Sequence, residues 1–554
     1  MVWIAVPWTA LRQTNTTAYF ANPCAEKFSI PLRMIETKRN QMENPSCTVS
    51  RHQFQSQKAV EITNDRISEL PDAVLHYILS LMPMKFIVRT SILSRRWRNL
   101  WKHIWAYATA LDFGLEFATG QTSEEFVGTV NRCLQLHKGK EIKMFRLLFN
   151  LGDHYLSDAE KWVEFAVARG VKELDIDFCE TVYDERLDRY DDRWPSKLPP
   201  SLFICDSITH LNLSRCDFDP PLNFNGYTYL KTLHLRLVRV PGDVLKSMLS
   251  NCLLLEELSL MDCFNLTHVT VSAPDLPLKK LTVVDCDICE IEIFAPNLQS
   301  FHFYGDFIHM YFKNISSLVD VLVNGICKES YQLEDDWMTV LHHLEHVKIL
   351  TLCDVSLQYV GLAEEYRTED LPVTFHNLQE LQLLLDWYGV SYLAYTFSFF
   401  KNCPCPCLEK LFIELPAAVE DPSQSDYQCE GLQTEDTLDI VFDHLKVIKM
   451  NGFRGLKDEM QLVKFFLEKA IVLESLVLVA PQEAICDMKD FASESKSVEA
   501  PLYLLRKQLL ILANASSSKT QILTCEYSDL NGALAPTHTE VYCKGRFVAK
   551  ELIR

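Results

Sequence analysis

Leu255-Glu256-Glu257-Leu258-Ser259-Leu260-Met261-Asp262-Cys263 and, 23 residues on, Leu278-Lys279-Lys280-Leu281-Thr282-Val283-Val284-Asp285-Cys286 carry one pattern. An apolar residue is followed by two free positions, an apolar residue, one free position, another apolar residue, two more positions and a cysteine. The alternation Leu258/Leu260 or Leu281/Val283 has the period of a short strand with one buried face. The apolar part of the pattern starts again at Val171, Ile208, Leu230, Leu298, Leu318, Val347, Leu378, Leu408, Leu445 and Leu473. Successive starts lie 37, 22, 25, 23, 20, 20, 29, 31, 30, 37 and 28 residues apart. A unit of that size cannot bury its apolar face alone, so neighbours must stack.

Several of these spacings are those of a leucine-rich repeat, ~20–29 residues with the pattern L-x-x-L-x-L-x-x-N/C-x-L. Longer gaps then mark insertions or decayed units, and the stretch between 308 and 370 departs most from the regular spacing. Each unit is predicted to contribute one strand to a curved ladder. Cys179, Cys216, Cys263 and Cys286 fall at the N/C position, where a small buried side chain fits inside the turn. Stacking specifies that position, so these thiols read as structural rather than metal-binding or catalytic.

Composition narrows the classes further. Hydrophobic residues make 48% and charged residues 23% of the 554-residue chain, which excludes full disorder and fibrous architectures. Only 17 residues are glycine, which counts against a glycine-rich phosphate loop as the central feature. A net charge of −20 disfavours binding to a nucleic-acid backbone, which relies on Lys and Arg. No apolar run is long enough to span a bilayer. The apolar start Met1–Trp8 lacks a basic flank and is broken by Pro7, so no signal peptide is expected. The 19 cysteines are too few for a disulfide scaffold and are expected to be mostly reduced, in the cytoplasm and/or nucleus.

Ahead of the repeats, residues 1–60 read as a polar, poorly ordered tail. From Asn64 the texture is helical. Pro71 and Asp72 mark a helix start, and Val74, Leu75, Ile78, Leu79 and Met82 recur at helical spacing until Pro83. A second amphipathic stretch covers 85–93. Ser94 can cap a third helix, on which Trp97, Leu100, Trp101 and Ile104 make one apolar stripe. Three helices in so short a stretch bury little core and expose apolar surface, which usually needs a partner.

Asp65-Arg66-Ile67-Ser68-Glu69-Leu70-Pro71-Asp72, Ile78-Leu79-Ser80 and Arg89-Thr90-Ser91-Ile92-Leu93-Ser94-Arg95-Arg96-Trp97-Arg98-Asn99-Leu100-Trp101 together resemble a plant F-box. That resemblance implies docking on a Skp-type adaptor and, through it, a cullin. Leu70 and Pro71 would seat in the adaptor. Leu79, Val88 and Leu93 would pack the trihelical core or its edge, and Trp97, Leu100 and Trp101 would complete the contact surface. Near the other end, a strand at Leu445–Met450, a helix at Glu459–Ala470 and a strand at Leu473–Leu478 resemble the FBD domain that follows the repeats in many plant F-box proteins. Leu509–Leu512 and Ala515–Ser518 are similar to its end.

Chemistry-bearing clusters are few. The sequence contains no P-loop, no G-x-S-x-G elbow and no H-E-x-x-H motif. His342-His343-Leu344-Glu345-His346 would place His342 and His346 on one helix face, but reads as a solvated face without further ligands. In Cys403-Pro404-Cys405-Pro406-Cys407 successive cysteines are one residue apart, the prolines stiffen the run, and the distant second pair of a structural zinc site is missing; it reads as a loop turning into the strand after Leu408. Eight Asp/Glu between Asp175 and Asp192 read as a solvated insertion, or else a docking surface for a basic partner. Lys85, Arg89, Arg95, Arg96, Arg98 and Lys102 read as adaptor surface rather than nucleic-acid contact.

The expected architecture is therefore α/β: a tail (1–60), a small trihelical F-box (61–110), a leucine-rich-repeat solenoid (111–435), a small α/β FBD-like segment (436–525) and a tail (526–554). The resemblance implies the substrate-recognition subunit of a cullin-based, SCF-type ubiquitin ligase, with the repeats binding a protein target of unknown identity. The rival is a repeat scaffold that acts without a ligase. Neither needs catalytic residues, a cofactor, a metal, nucleic acid or a membrane.

Overall fold

The structure, a computed structural model, describes residues 67, 70–82, 84–148, 155–178, 197–221, 224, 226–272, 276–326, 334–365, 373–385, 392–415, 440–480, 520–525 and 534–539. The chain divides into two units, Met1–Phe149 and Asn150–Arg554.

In the first unit, helix α1 (Asp72–Ser80) starts after Pro71, whose carbonyl accepts from the N–H groups of Val74 and Leu75. Asp72 places a negative charge at the positive end of the helix dipole. Leu75 and Leu79, one turn apart, are buried. Helix α2 (Met84–Arg89) runs into a 3₁₀ turn at Thr90–Ile92, and a second 3₁₀ turn, Trp97–Asn99, leads into α3 (Leu100–Ala106). The Ser94 hydroxyl accepts from the Trp97 N–H at 3.4 Å, so the expected cap sits on the 3₁₀ turn that opens the third helix. Leu75, Leu79, Ile87, Trp97 and Leu100 form the core, with Leu70, Trp101 and Ile104 packed against it.

The same unit continues through β1 (Ala110–Phe113), α4 (Leu115–Ala118), α5 (Ser123–Leu136) and β2 (Met144–Leu148), which pairs in parallel with β1. A capping box starts α5: Thr122 accepts from the Glu125 N–H, and Glu125 reaches back to the Thr122 N–H. Edge-on ring contacts link Trp105, Phe113, Phe117 and Phe126, and the Trp105 indole donates to the Cys133 carbonyl. The run 110–148 is thus a β–α–β element of the first unit, ahead of the first repeat start at Val171.

The second unit opens with α6 (Leu156–Val167) and builds a parallel sheet. Its strands run in the order β3 (Glu173–Asp177), β4 (His210–Ser214), β5 (Thr232–Arg236), β6 (Glu257–Met261), β8 (Lys280–Val284), β10 (Ser300–Asp306) and β12 (Asp320–Ile326). The sheet continues through β13 (Ile349–Cys353), β14 (Glu380–Leu384), β15 (Lys410–Glu414), β16 (Val447–Asn451), β17 (Ser475–Val479) and β18 (Gln521–Cys525). Every one of the twelve pattern starts lies two residues before a strand, including Leu318 and Val347 in the irregular stretch. First residue pairs with first residue throughout, so Leu258, Leu281, Phe301 and Val321 stack as one buried row. A one-residue slip would turn such a row outward, which is why the pattern fixes the register. Arg215, Leu237, Asp262, Asp285 and Gly452 adopt positive φ immediately after their strands, turning the chain at the same corner.

A second sheet was not expected. Strands β7 (His268–Ser272), β9 (Glu290–Phe294) and β11 (His309–Lys313) pair in parallel within the units spaced by 23, 20 and 20 residues. Longer units return through helices: α7 (Gly242–Asn251), α8 (Glu334–His343), α9 (Asp354–Glu365), α10 (Tyr392–Asn402) and α11 (Lys457–Lys469). A strand rises ~3.3 Å per residue and a helix 1.5 Å, so about five strand residues cover the path of about ten helical ones. Repeat length thus favours a return strand in the short units and a return helix in the long ones, although the 22-residue unit from Ile208 has neither among its described residues.

The β16–α11–β17 segment pairs in register with β15 and so prolongs the same ladder. Residues 509–512 and 515–518 lie outside the described residues. One oxygen of buried Glu459 accepts from the N–H groups of Arg454 (2.8 Å), Gly455 (2.6 Å) and Leu456 (2.9 Å). Glu459→Ala leaves three donors unmet and is expected to cost about 1–3 kcal/mol in a urea melt. Glu459→Gln retains an accepting oxygen and should cost much less. Burial outweighs the amide donors and holds this carboxyl above the usual carboxylate range. Its folded pKa exceeds the unfolded one, so its contribution is full below the unfolded value and lost as pH rises through the raised one. The Gln variant should remove that part of the pH dependence.

Candidate functional site

The helical module leaves much of its apolar surface outside the core. Tyr77, Leu81, Phe86, Ile92 and Leu93 are exposed, Ile92 by 80% and Leu93 by 65%. Among the residues expected at a contact, Leu70 and Trp101 are half-buried against the core and Pro71 is exposed. Val88 is half-buried, whereas Leu79, Trp97 and Leu100 are core residues. Leu93 was expected at the core edge but points outward, because the chain there is a turn between two short 3₁₀ segments rather than a helix face. Trp97 and Leu100 were expected at the surface; the short third helix turns them inward to close the core. Tyr77 and Ile92 were missed, although Tyr77 lies off the Leu75/Leu79 stripe and was legible from helical spacing.

Arg96 binds this surface together. Its guanidinium donates to the Leu70 carbonyl and pairs with Asp72 at 2.6 Å, tying the chain before α1 to the turn before α3. The guanidinium of Arg89 lies 5.7 Å from the Phe86 ring centre, and the Lys102 ammonium 5.9 Å from that of Trp101.

In the second unit, the sheet face opposite the apolar rows carries Ser259, Thr282, His302, Leu322, Thr351, Gln382, Phe412 and Lys449 in one register row. The C-terminal segment 534–539 runs over this face. Lys449 donates to the Leu534 carbonyl (3.0 Å), the Thr537 N–H donates to Glu380, and His538 Nδ1 lies 2.7 Å from the Thr351 hydroxyl. His538 Nε2 stands 3.9 Å from Asp320 Oδ2, and the His302 ring meets the His538 ring edge-on, centres 4.7 Å apart. Burial, helped by the neighbouring His538 ring, pushes His302 down to about 4 and keeps its imidazole neutral. Asp320 is pushed up by burial, but His538, Ser300 and His302 outweigh this and hold it below the usual range.

The clusters singled out in the sequence have other employment. Helix α8 ends at His343, and His346 lies beyond it with Nε2 3.1 Å from the Ile315 carbonyl, so His342 and His346 do not share a helix face. Cys403 and Cys405 are buried in the loop entering β15, and burial raises both thiols far above their usual range. Eleven of the cysteines among the described residues are free thiols. Cys216, Cys263 and Cys286 line the inside of the turns; Cys179 and most of the acidic stretch to Asp192 lie outside the described residues. The Cys263 thiol donates to the Leu235 carbonyl at 3.4 Å. Cys263→Ser therefore keeps an acceptor, and the expected loss is about 1 kcal/mol, read as a lowered urea midpoint. An unchanged midpoint would contradict the burial assigned to that turn.

The chain matches two families: F-box domain over residues 67–107, and At1g61320/AtMIF1, LRR domain, over residues 133–514. It is 25% identical over 447 residues to the FBD-associated F-box protein At1g61320 of Arabidopsis thaliana, covering 75% of this chain and 89% of that one. To the F-box/FBD/LRR-repeat protein At1g78750 of the same plant it is 27% identical over 449 residues, 75% and 89% of the two chains. To the F-box/FBD/LRR-repeat protein At5g56420 it is 30% identical over 305 residues, 53% and 66%.

Proposed function

The chain belongs to the family of plant F-box proteins with leucine-rich repeats, and from that premise we propose that it is the substrate-recognition subunit of an SCF-type ubiquitin ligase. The F-box and the ladder are protein-interaction modules, and F-box domains generally bind Skp-type adaptors. The observation that carries the reading for this chain is the apolar surface left outside the F-box core: Tyr77, Leu81, Phe86, Ile92 and Leu93 on a module of some forty residues. A monomer gains nothing from that exposure, and a partner that covers it gains ~25 cal/mol per Å² buried. Leu70, Pro71, Leu93 and Trp101 are the adaptor-facing residues in this reading; Leu79, Val88, Trp97 and Leu100 shape the surface from beneath. The ladder selects the target protein, with residues 436–525 as its FBD-like end, and ubiquitin transfer is carried out by other subunits.

The test is co-purification of the full chain with a Skp-type adaptor and a cullin, and the same experiment with residues 61–110 deleted. Micromolar or tighter binding by the full chain, lost in the deletion, is the expected result. Absence of binding by the full chain would favour a repeat scaffold that acts without a ligase.

A further inference from the structure

We propose that His302, Asp320 and His538 form a binding site for one divalent first-row transition-metal ion of the zinc class, and that the ion fastens segment 534–539 to the outer face of the ladder. Their donor atoms lie within 4.8 Å of one another. His302 and Asp320 come from adjacent strands: Asp320 pairs with Ser300, two residues before His302, so both side chains emerge on the same face. His538 arrives from the C-terminal segment, 218 residues after Asp320.

Unmet polar atoms are what call for a cation. The Thr351 hydroxyl lies 3.2 Å from Gln382 Oε1 and 2.7 Å from His538 Nδ1, so Nδ1 has a partner in either tautomer. Nε2 sits on a side chain 3% exposed, 3.9 Å from Asp320 Oδ2. Neither His538 Nε2 nor Asp320 Oδ1 meets a hydrogen-bond partner, and both atoms are buried. Buried polar atoms left unpaired are costly, and a cation bound by both residues would satisfy them.

The donor set selects the ion. Two imidazoles and one carboxylate suit zinc, iron(II), cobalt or nickel, whereas calcium takes six to eight oxygens and magnesium a near-octahedral oxygen shell. A ligating histidine normally donates its other N–H to an outer partner, and the Thr351 hydroxyl 2.7 Å from Nδ1 of His538 can accept it. Around an ion at ~2.0–2.1 Å, tetrahedral donors stand roughly 3.3 Å apart, so side-chain rotations of about 1 Å would close the set. Since the segment also engages Lys449 and Glu380, the bound ion would hold it over the row from Leu322 to Lys449. That last consequence bears on target access only if the ladder selects targets as proposed above; the site itself does not depend on it.

The experiment uses the full chain, stripped of metal with a chelator and equilibrated with micromolar Zn²⁺ or Co²⁺, with bound ion counted after dialysis. One ion per chain is expected, with a cobalt spectrum free of thiolate charge transfer. The ion should be retained when the two thiols exposed among the described residues are removed in Cys289→Ser/Cys407→Ser. His302→Ala, Asp320→Asn and His538→Ala should each weaken it by more than the ~10–100-fold expected for the outer-shell change Thr351→Val. Because His538 lies outside the strands, its variant should keep the ladder's circular dichroism. Zinc should slow exchange of the Thr537 amide in the parent chain and not in His538→Ala. No bound ion at micromolar metal, equal binding by the three variants, or a thiolate signature would each overturn the site; none of these results bears on adaptor binding.

Discussion

Leu70→Ala together with Pro71→Ala is expected to weaken binding to a Skp-type adaptor by about 100-fold or more while the ladder stays folded. Leu70 is half-buried against the F-box core, and its remaining surface is what a partner can cover. Full burial of a leucine side chain is worth roughly 1.5–3 kcal/mol, and about 1.4 kcal/mol is a factor of ten in affinity. Pro71 stands exposed at the helix start with φ −59°, so its ring presets the turn that must be ordered on docking. Alanine there restores unbound freedom, and the ordering cost returns as lost affinity. The hydrogen bond from Arg96 reaches the backbone carbonyl of Leu70 and survives the substitution. The ladder belongs to the other unit and has its own core, so its thermal transition should not move. In cells, the variant should still capture its target but no longer support the target's ubiquitination. Unchanged adaptor binding would remove the contact surface proposed for these residues. Loss of the adaptor with unaltered target turnover would turn the assignment toward a scaffold.

The ladder was legible because its signal is local and repeated. Leu258 and Leu260 alternate within one strand, and the same spacing before each strand fixes where the next begins. The second sheet was not legible from periodicity, since His268–Ser272 alternates like any strand; what decides its place is the shortness of the unit, a geometric constraint rather than a pattern. In the F-box, helical spacing placed Leu75 and Leu79 correctly in the core. Spacing also put Trp97, Leu100, Trp101 and Ile104 on one stripe, and all four pack in or against the core. The contact role the F-box resemblance implied for Trp97 and Leu100, and the core-edge place it implied for Leu93, did not follow from that spacing. Leu93 stands exposed on the turn between the 3₁₀ segments Thr90–Ile92 and Trp97–Asn99. The cluster of His302, Asp320 and His538 carried no sequence signal. Two of its members share a sheet face only through the register of β10 and β12, and the third comes from a segment with no periodicity of its own. The histidines that were conspicuous, His342 to His346, are adjacent in sequence, yet His346 is spent on the Ile315 carbonyl.

Trp97→Ala should abolish adaptor binding by a different route, by melting the F-box rather than altering its surface. Trp97 is 5% exposed and packs with Leu75, Leu79, Ile87 and Leu100. Removing a buried tryptophan side chain costs ~3–5 kcal/mol, because the cavity it leaves collapses only in part. A core as small as this one rarely supplies more than about 3–5 kcal/mol in total, so the substitution consumes the margin. The contrast with Leu70→Ala/Pro71→Ala lies in amide exchange on the full chain. The surface variant should leave the amides of α1 and α3 protected, whereas Trp97→Ala should release them; in both, strands such as β8 and β14 should exchange as in the parent. Trp97→Phe, which refills much of the cavity with a flat ring, should recover part of the protection and part of the binding together. If Trp97→Ala kept its helices protected and lost the adaptor all the same, the indole would belong to the contact rather than the core. The packing of Leu100 and Leu79 around it would then need another source of stability.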